Sequence, residues 1–181
     1  HNAVKAILAN GYKGILDVAP RVGKSKIAID AIRLYNKTNR KPVLITAPFN
    51  SILESWQAEF QKWGLKDIPT IINQRSLEKL DLNDYSLIIC DEVHTLSDKQ
   101  KDLLEGRQIL GFSGSISKST KKKLDEKLNI TPIFTYSIDQ AIEDNIISDY
   151  NIKVITCNLD YKIKYIPGGS KAKPFKTTEY N

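Results

Sequence analysis

Short apolar runs alternate with amphipathic segments along most of the chain, and this alternation predicts an α/β fold. The apolar runs are rich in branched residues, as is typical of strands buried on both faces of a sheet. Strand–helix alternation of this kind predicts an open, mostly parallel sheet with helices on both faces. The predicted strands are 14–19, 42–48, 69–73, 85–92, 108–115, 132–137 and 151–159, and the predicted helices are 24–38, 51–64, 75–80, 98–106, 119–128 and 138–146.

The helix predicted over residues 51–64 carries three aromatic residues on one face. Shared helical spacing is typical of core side chains, so we interpret Trp56, Phe60 and Trp63 as core rather than as platforms for stacking bases. Ser51 is placed to cap the start of this helix, and Gly64 is placed to end it.

Composition and charge place the chain among globular proteins without fixing its activity. Its 181 residues are enough for one well-packed domain. A net charge of +6 permits a nucleic-acid partner without requiring one. No apolar run is long enough to cross a bilayer, and the first residues lack the features of a signal peptide. We therefore expect no membrane partner.

Cysteine and methionine usage adds two expectations. With only Cys90 and Cys157, a reduced protein in the cytoplasm or nucleoid is the simplest interpretation, and Cys90 is expected to be a small buried residue. The chain contains no methionine, so we expect it to be a piece of a longer protein.

The sequence Gly23-Lys24-Ser25 stands between a predicted strand and a predicted helix. Backbone N–H groups of such a loop, with the helix N-terminus, face an anion. Lys24 would reach the β- and γ-phosphates of a nucleotide, and the Ser25 hydroxyl would ligate Mg²⁺. The full pattern G-x-x-x-x-G-K-[ST] fails at its first glycine, where Val18 stands.

A second element, the pair Asp91-Glu92, follows a buried predicted strand. An acid at such a position can hold Mg²⁺ through water, and a neighbouring glutamate can polarise the attacking water. In open α/β sheets the ligand lies at the carboxyl ends of the strands, where both elements are expected. The sequence therefore predicts an ATP and Mg²⁺ site, with Lys24, Asp91 and Glu92 as the catalytic residues.

With both elements in place, the sequence resembles the first RecA-like domain of a superfamily 2 helicase or translocase, in its Asp-Glu-x-His form. Residues 56–63, W-x-x-E-F-x-K-W, are most similar to the Swi/Snf-type translocases, and residues 136–155 resemble the exit from the first domain in restriction-enzyme-type and repair-type members. The match extends to about Leu159. The segments that resemble motifs I, Ia, II and III are, in this order, APRVGKS, LITAPFNSILESWQAEFQKW, IICDEVH and LGFSGSIS.

The resemblance implies roles for the matching positions. For three of the residues implied to contact nucleic acid, a second interpretation stays open. Asn50 and Ser51 are also placed to cap the following helix, and Arg75 is equally interpreted as an ordinary surface charge. The implied nucleotide-binding residues are Arg21, Val22, Gly23, Lys24 and Ser25, with Ser25 and Asp91 holding Mg²⁺. The residues implied to couple the ATP state to nucleic acid are His94, Ser113, Gly114 and Ser115, and those implied to contact nucleic acid are Pro48, Asn50, Ser51 and Arg75.

The sequence departs from the family in several places. Arg21 and Val22 stand where many relatives have glycine, which implies a less flexible loop. Ser115 replaces the usual threonine of motif III, and the adenine-reading glutamine of many relatives is absent.

The resemblance also sets the expected domain organisation. We expect a RecA-like domain over residues 1–159, with 160–181 as a linker or the start of a second RecA-like domain. The second domain supplies an arginine finger in this superfamily, so we expect the chain alone to bind nucleotide weakly and to hydrolyse it poorly.

Three functions compete at this point. The first is an ATP-driven helicase or translocase acting on nucleic acid, with DNA favoured over RNA. The second is a nucleotide-gated nucleic-acid binding module without turnover. The third is a phosphotransferase, which the scattered arginines disfavour because they form no lid-like cluster.

Overall fold

A sheet of six parallel strands forms the centre of the computed structural model, which describes residues 2–149. The strand order is β3-β2-β4-β5-β1-β6, and every neighbouring pair is parallel. The predicted parallel α/β fold is therefore confirmed. The seventh predicted strand, 151–159, and the predicted boundary at residue 159 lie outside the described residues. The strands are β1 (Gly14–Val18), β2 (Val43–Ala47), β3 (Thr70–Asn73), β4 (Leu87–Cys90), β5 (Ile109–Ser113) and β6 (Pro132–Tyr136).

Six α-helices and three short 3₁₀ helices accompany these strands within the described residues. Where a helix was predicted over residues 75–80, the structure has the 3₁₀ helix Gln74–Lys79. The first helix was not predicted, because its eight residues are too few for a clear period, although Ala3, Val4 and Ile7 form its buried side. The helices are α1 (Asn2–Ala9), α2 (Lys24–Tyr35), α3 (Asn50–Trp63), α4 (Asp98–Leu104), α5 (Lys118–Leu128) and α6 (Ile138–Glu143), and the other 3₁₀ helices are Leu82–Asp84 and Val93–Thr95.

Helices cover both faces of the sheet, as predicted. On β1, Leu16 packs into a core with buried residues of α1, α2 and α3. Its neighbour Ile15 points to the opposite face and packs with buried residues of α4 and α5. Because successive residues of a strand face opposite sides, burial on both sides makes the four inner strands largely apolar runs, whereas the edge strands β3 and β6 are only partly buried. Cys90 is one of these buried residues, and burial raises the pKa of its thiol to about 12.

The start of α3 differs from the prediction. The helix begins at Asn50, its N-cap residue is Phe49, and among the described residues no side chain caps it by a hydrogen bond. The prediction that Ser51 caps this helix is therefore wrong, as is the alternative cap by Asn50. The Asn50 side chain instead accepts a hydrogen bond from Asn73 (Nδ2–Oδ1 3.1 Å). The C-terminus follows the prediction, with Gly64 in the left-handed conformation.

Close packing at Gly111 on β5 positions the segment that follows β4. A Cβ atom at Gly111 would lie only 2.9 Å from Cγ1 of Val93. Glycine therefore lets the 3₁₀ helix Val93–Thr95 lie directly on β5. This approach brings His94 to the end of β5, where Ser113 lies.

Candidate active site

The carboxyl ends of β4, β5 and β1 bring together the loops that the sequence marks as a nucleotide site. These three strands are neighbours in the sheet. The Lys24 ammonium, after β1, lies 3.1 Å from Oε1 of Glu92, after β4. Gly114, after β5, lies beside Pro20 and Lys24, since a Cβ atom on it would be 3.2 Å from Pro20 Cγ and 3.6 Å from Lys24 Nζ. The predicted catalytic pair Lys24 and Glu92 is therefore in direct contact.

The loop between β1 and α2 contains two residues with positive φ and leaves the start of α2 without a cap. Gly23 has φ 90° and is the N-cap of α2, with no side-chain cap within the described part of the chain. The first N–H groups of α2 are thus not satisfied by a capping side chain, as an anion site requires. Arg21 has φ 65°, a conformation that glycine usually supplies.

Asp91 is partly buried, and its carboxylate is held in one orientation. Its Oδ2 atom accepts a hydrogen bond from the Trp56 indole N–H (3.0 Å), and its Oδ1 atom accepts one from the Glu92 backbone N–H (3.0 Å). Burial raises the pKa of the Asp91 carboxyl, against the opposing effects of the Lys24 charge and the Trp56 hydrogen bond. Burial thus disfavours the ionised form that a metal needs, and the Lys24 charge and the Trp56 hydrogen bond offset this only in part.

Glu92 lies between the phosphate loop and the end of β5. It has φ 49°, and such strained backbone is frequent at functional sites. Its Oε1 atom contacts Lys24, and its Oε2 atom lies 3.5 Å from Nδ1 of His94. The same nitrogen lies 2.8 Å from the Ser113 hydroxyl, which donates to the Ser115 carbonyl (3.1 Å). Because a hydroxyl has one proton, Ser113 must accept from His94, which places the imidazole proton on Nδ1.

Asn73 connects three of the four residues that the resemblance assigns to nucleic acid. Its side chain donates to the Pro48 carbonyl (3.1 Å) and to Asn50, and it accepts from the Arg75 backbone N–H (3.0 Å). Ser51 is exposed on the first turn of α3. A groove at this edge is lined by Pro48, Phe49, Gln74, Arg75, Thr95, Ser97 and Gln100.

Three residues that contact Asp91 or Glu92 were not predicted as site residues. Trp56 was predicted as core, and it is buried as expected, but it also donates to Asp91. Gln74 is buried and donates to the Asp91 carbonyl (3.1 Å). Thr95 donates to the Glu92 carbonyl (2.7 Å) and is also within hydrogen-bond distance of Gln74. A glutamine or threonine in a polar loop gives no sequence signal of such a role.

The donor groups fit Mg²⁺ bound together with a nucleotide. The described residues contain no group of three or more histidine, cysteine or acidic side chains that could hold a metal ion. Magnesium commonly takes only one or two carboxylates, with water and substrate phosphates supplying the rest. Ser25 on the first turn of α2 and the oriented Asp91 carboxylate are hard oxygen ligands of this kind.

One family matches the N-terminal part of the sequence, over less than half of its length. The model of a family described as Type III restriction enzyme, res subunit (ResIII), matches residues 1–79. This segment includes the phosphate loop and α3 but ends before Asp91. No curated protein matches the chain.

Solved helicase structures share the fold. The UvsW helicase from bacteriophage T4 has 17% identity and a TM-score of 0.63, over 75% of this chain and 60% of that chain. The Pyrococcus furiosus Hef helicase domain has 14% identity and a TM-score of 0.57, over 74% and 38%. A nuclease-deletion mutant of the Type ISP restriction-modification enzyme LlaGI, in complex with a DNA substrate mimic, has 15% identity and a TM-score of 0.56, over 80% and 20%.

These structures confirm the expected fold, which the chain shares with solved helicases, and membership of superfamily 2 stays a prediction. The chain spans 60% or less of the length of each of these solved chains. The Asp-Glu-x-His form and the roles of individual residues stay predictions. No helix within residues 2–149 is both long enough and apolar enough to cross a membrane.

Proposed function

Because the chain has the RecA-like fold of superfamily 2 helicases, we propose that it is the ATP-binding half of a nucleic-acid helicase or translocase. The observation that carries this proposal is the contact between Lys24 and Glu92, which joins the phosphate loop to the acidic pair across three neighbouring strands. A phosphate loop alone would suit many nucleotide-binding proteins. A glutamate held beside it supports hydrolysis, because that glutamate can orient the attacking water.

Each residue of the site has a proposed role in ATP hydrolysis. The loop from Arg21 to Gly23 and the start of α2 bind the phosphates, and Lys24 neutralises their charge. Ser25 and Asp91 hold Mg²⁺, which when bound would neutralise charge on the β- and γ-phosphates. Glu92 leaves Lys24 when the phosphates arrive and then orients water.

The proposed nucleic-acid contact is the edge formed by Pro48, Asn50, Ser51 and Arg75. The uncapped start of α3 offers backbone N–H groups to a phosphate, and Arg75 offers a positive charge. Contacts of this type are independent of sequence, which suits a protein that moves along a strand. We propose DNA rather than RNA, in keeping with the DNA substrate mimic bound by the LlaGI relative.

A second RecA-like domain is part of this proposal. In phosphoryl transfer, an arginine from another domain or protein stabilises the transition state and contributes a large share of the rate. We propose that residues 1–159 form the first domain, that 160–181 lead to the second, and that the 181-residue chain alone turns over ATP poorly. An intracellular location follows from the proposed substrate.

The proposal is tested by the ATPase activity of the full-length protein with and without single-stranded DNA, duplex DNA and RNA. We expect DNA to raise the rate at least about ten-fold, since coupling between two sites commonly amounts to 1–3 kcal/mol. Lys24→Ala is the blank. An ATPase rate that no nucleic acid changes would favour a phosphotransferase. ATP binding without hydrolysis would favour a gated binding module.

Ser113→Ala is expected to reduce the stimulation of ATPase by nucleic acid about five-fold. The change removes the hydroxyl that joins His94 to the Ser115 carbonyl, and one lost hydrogen bond corresponds to about 1 kcal/mol. The measurement is the ratio of the stimulated to the unstimulated rate. Ser119→Ala, on the exposed side of α5, is the matched control. An unchanged ratio in Ser113→Ala would remove this residue from the coupling group.

A further inference from the structure

Trp56 contacts the proposed metal-binding carboxylate from the middle of α3. Its side chain is only 3% exposed and packs against Phe60, with 5.8 Å between the ring centroids. The indole N–H is the single hydrogen-bond donor of a tryptophan side chain, and here it donates to Oδ2 of Asp91 over 3.0 Å. A buried tryptophan needs an acceptor for its indole N–H, and here that acceptor is the proposed metal ligand.

The two oxygens of Asp91 accept hydrogen bonds from different directions. The Trp56 indole binds Oδ2, and the Glu92 backbone N–H binds Oδ1. Together these two donors fix the rotation of the carboxylate about its Cβ–Cγ bond. Without the indole N–H, only the donor on Oδ1 would set this rotation.

The backbone of Asp91 is held separately by Gln74. This side chain is 3% exposed, and its amide donates to the Asp91 carbonyl over 3.1 Å. Its carbonyl oxygen lies 3.0 Å from the Thr95 hydroxyl. Because the backbone at Asp91 has its own support, loss of the Trp56 donor would change the direction of the carboxylate rather than the path of the chain.

We propose that Trp56 is a positioning residue whose indole N–H directs the Asp91 carboxylate toward the metal–nucleotide complex. This inference rests on the proposed function. Groups that orient a metal ligand without touching the metal commonly change metal affinity 10- to 100-fold when they are removed. Trp56 also lies on the helix whose first turn carries Asn50 and Ser51, so one rigid element extends from the proposed nucleic-acid edge to the metal ligand.

A matched control exists on the same helix. Trp63 is the other tryptophan of the chain, and its indole N–H also donates to a carboxylate, Oε2 of Glu59, over 2.8 Å. Glu59 plays no part in the proposed site. Trp56→Phe and Trp63→Phe therefore remove the same kind of donor, keep an aromatic ring, and differ in whether the acceptor is the proposed metal ligand.

The first measurement is the binding of a fluorescent, non-hydrolysable ATP analogue to the full-length protein across a range of Mg²⁺ concentrations. We expect Trp56→Phe to raise the Mg²⁺ concentration for half-maximal binding about ten-fold, and Trp63→Phe to change it less than two-fold. The inference is overturned if Trp56→Phe weakens analogue binding equally with and without Mg²⁺, or if the two variants shift the Mg²⁺ concentration equally. If the unmutated full-length protein shows no Mg²⁺-dependent binding, the proposed function itself fails, and the inference fails with it.

The second measurement does not use Trp56→Phe and so does not depend on how that variant folds. The chain labelled with ¹⁵N at its two tryptophans gives two indole N–H signals in NMR spectra, which the Trp63→Phe variant assigns. On addition of the analogue with Mg²⁺, we expect the Trp56 signal to move and the Trp63 signal to stay. A Trp56 signal that stays still while the analogue binds would contradict a role at the metal site.

Discussion

Replacement of Glu92 by glutamine is expected to lower the rate of ATP hydrolysis about a thousand-fold. The amide keeps the shape of the side chain but cannot accept a proton from water or orient it as a base, and such a loss commonly costs 10²- to 10⁴-fold. The measurement is single-turnover hydrolysis by the full-length protein with saturating DNA. Glu105→Gln, an exposed site at the end of α4, makes the same chemical change away from the cluster and should leave the rate unchanged.

The same variant is expected to bind ATP at least as tightly as the unmutated protein. Glu92 pairs with Lys24, so the phosphates must compete with a carboxylate for the ammonium. The two side chains are 17% and 28% exposed, and a partly exposed pair contributes about 1 kcal/mol or less. Affinity should therefore rise by up to about five-fold. A rate near that of the unmutated protein would remove Glu92 from the catalytic role, whatever the affinity.

The fold could be predicted from the sequence because its four inner strands, β1, β2, β4 and β5, are mostly buried on both faces. Each then appears as an apolar run, and the motifs follow directly after the runs, as at Gly23 and Asp91. Apolar runs do not reveal the order of the strands within the sheet. The contact between Lys24 and Glu92 depends on β4, β5 and β1 being neighbours, which the structure shows. The resemblance to helicases predicted that the loops after these strands form one site, and the structure shows the contact between them.

The parts of the site that the sequence did not predict depend on directions of single groups. Helical spacing assigned Trp56 correctly to the buried face of α3, but spacing does not reveal what the indole N–H meets. Polar residues such as glutamine are mostly exposed in proteins, so nothing in the sequence indicated that Gln74 is buried against the Asp91 backbone. The cap assigned to Ser51 was wrong because α3 begins one residue earlier, with the Asn50 side chain bonded to Asn73.

Replacement of Lys24 by alanine is expected to weaken ATP binding about 10- to 100-fold and to abolish measurable turnover. A hydrogen bond to a charged group contributes about 1.5–3 kcal/mol, and each 1.4 kcal/mol is a factor of ten. The variant also leaves the Glu92 carboxylate without its cation beside the incoming phosphates, which adds repulsion. The measurement is equilibrium binding of ATP with Mg²⁺. Lys26→Ala, two residues along α2 and paired with Asp30, is the matched control.

A double variant separates the two causes of this loss. If part of it comes from the unpaired Glu92 carboxylate, Lys24→Ala combined with Glu92→Gln should bind ATP more tightly than Lys24→Ala alone, since residues in contact do not act additively. Lys24 and Glu92 thus have opposite expected effects on affinity and the same expected effect on turnover. These effects are expected because the Lys24 ammonium binds either the Glu92 carboxylate or the nucleotide phosphates, while both side chains are needed for hydrolysis. A double variant that binds no better than Lys24→Ala would show that the ion pair does not compete with ATP.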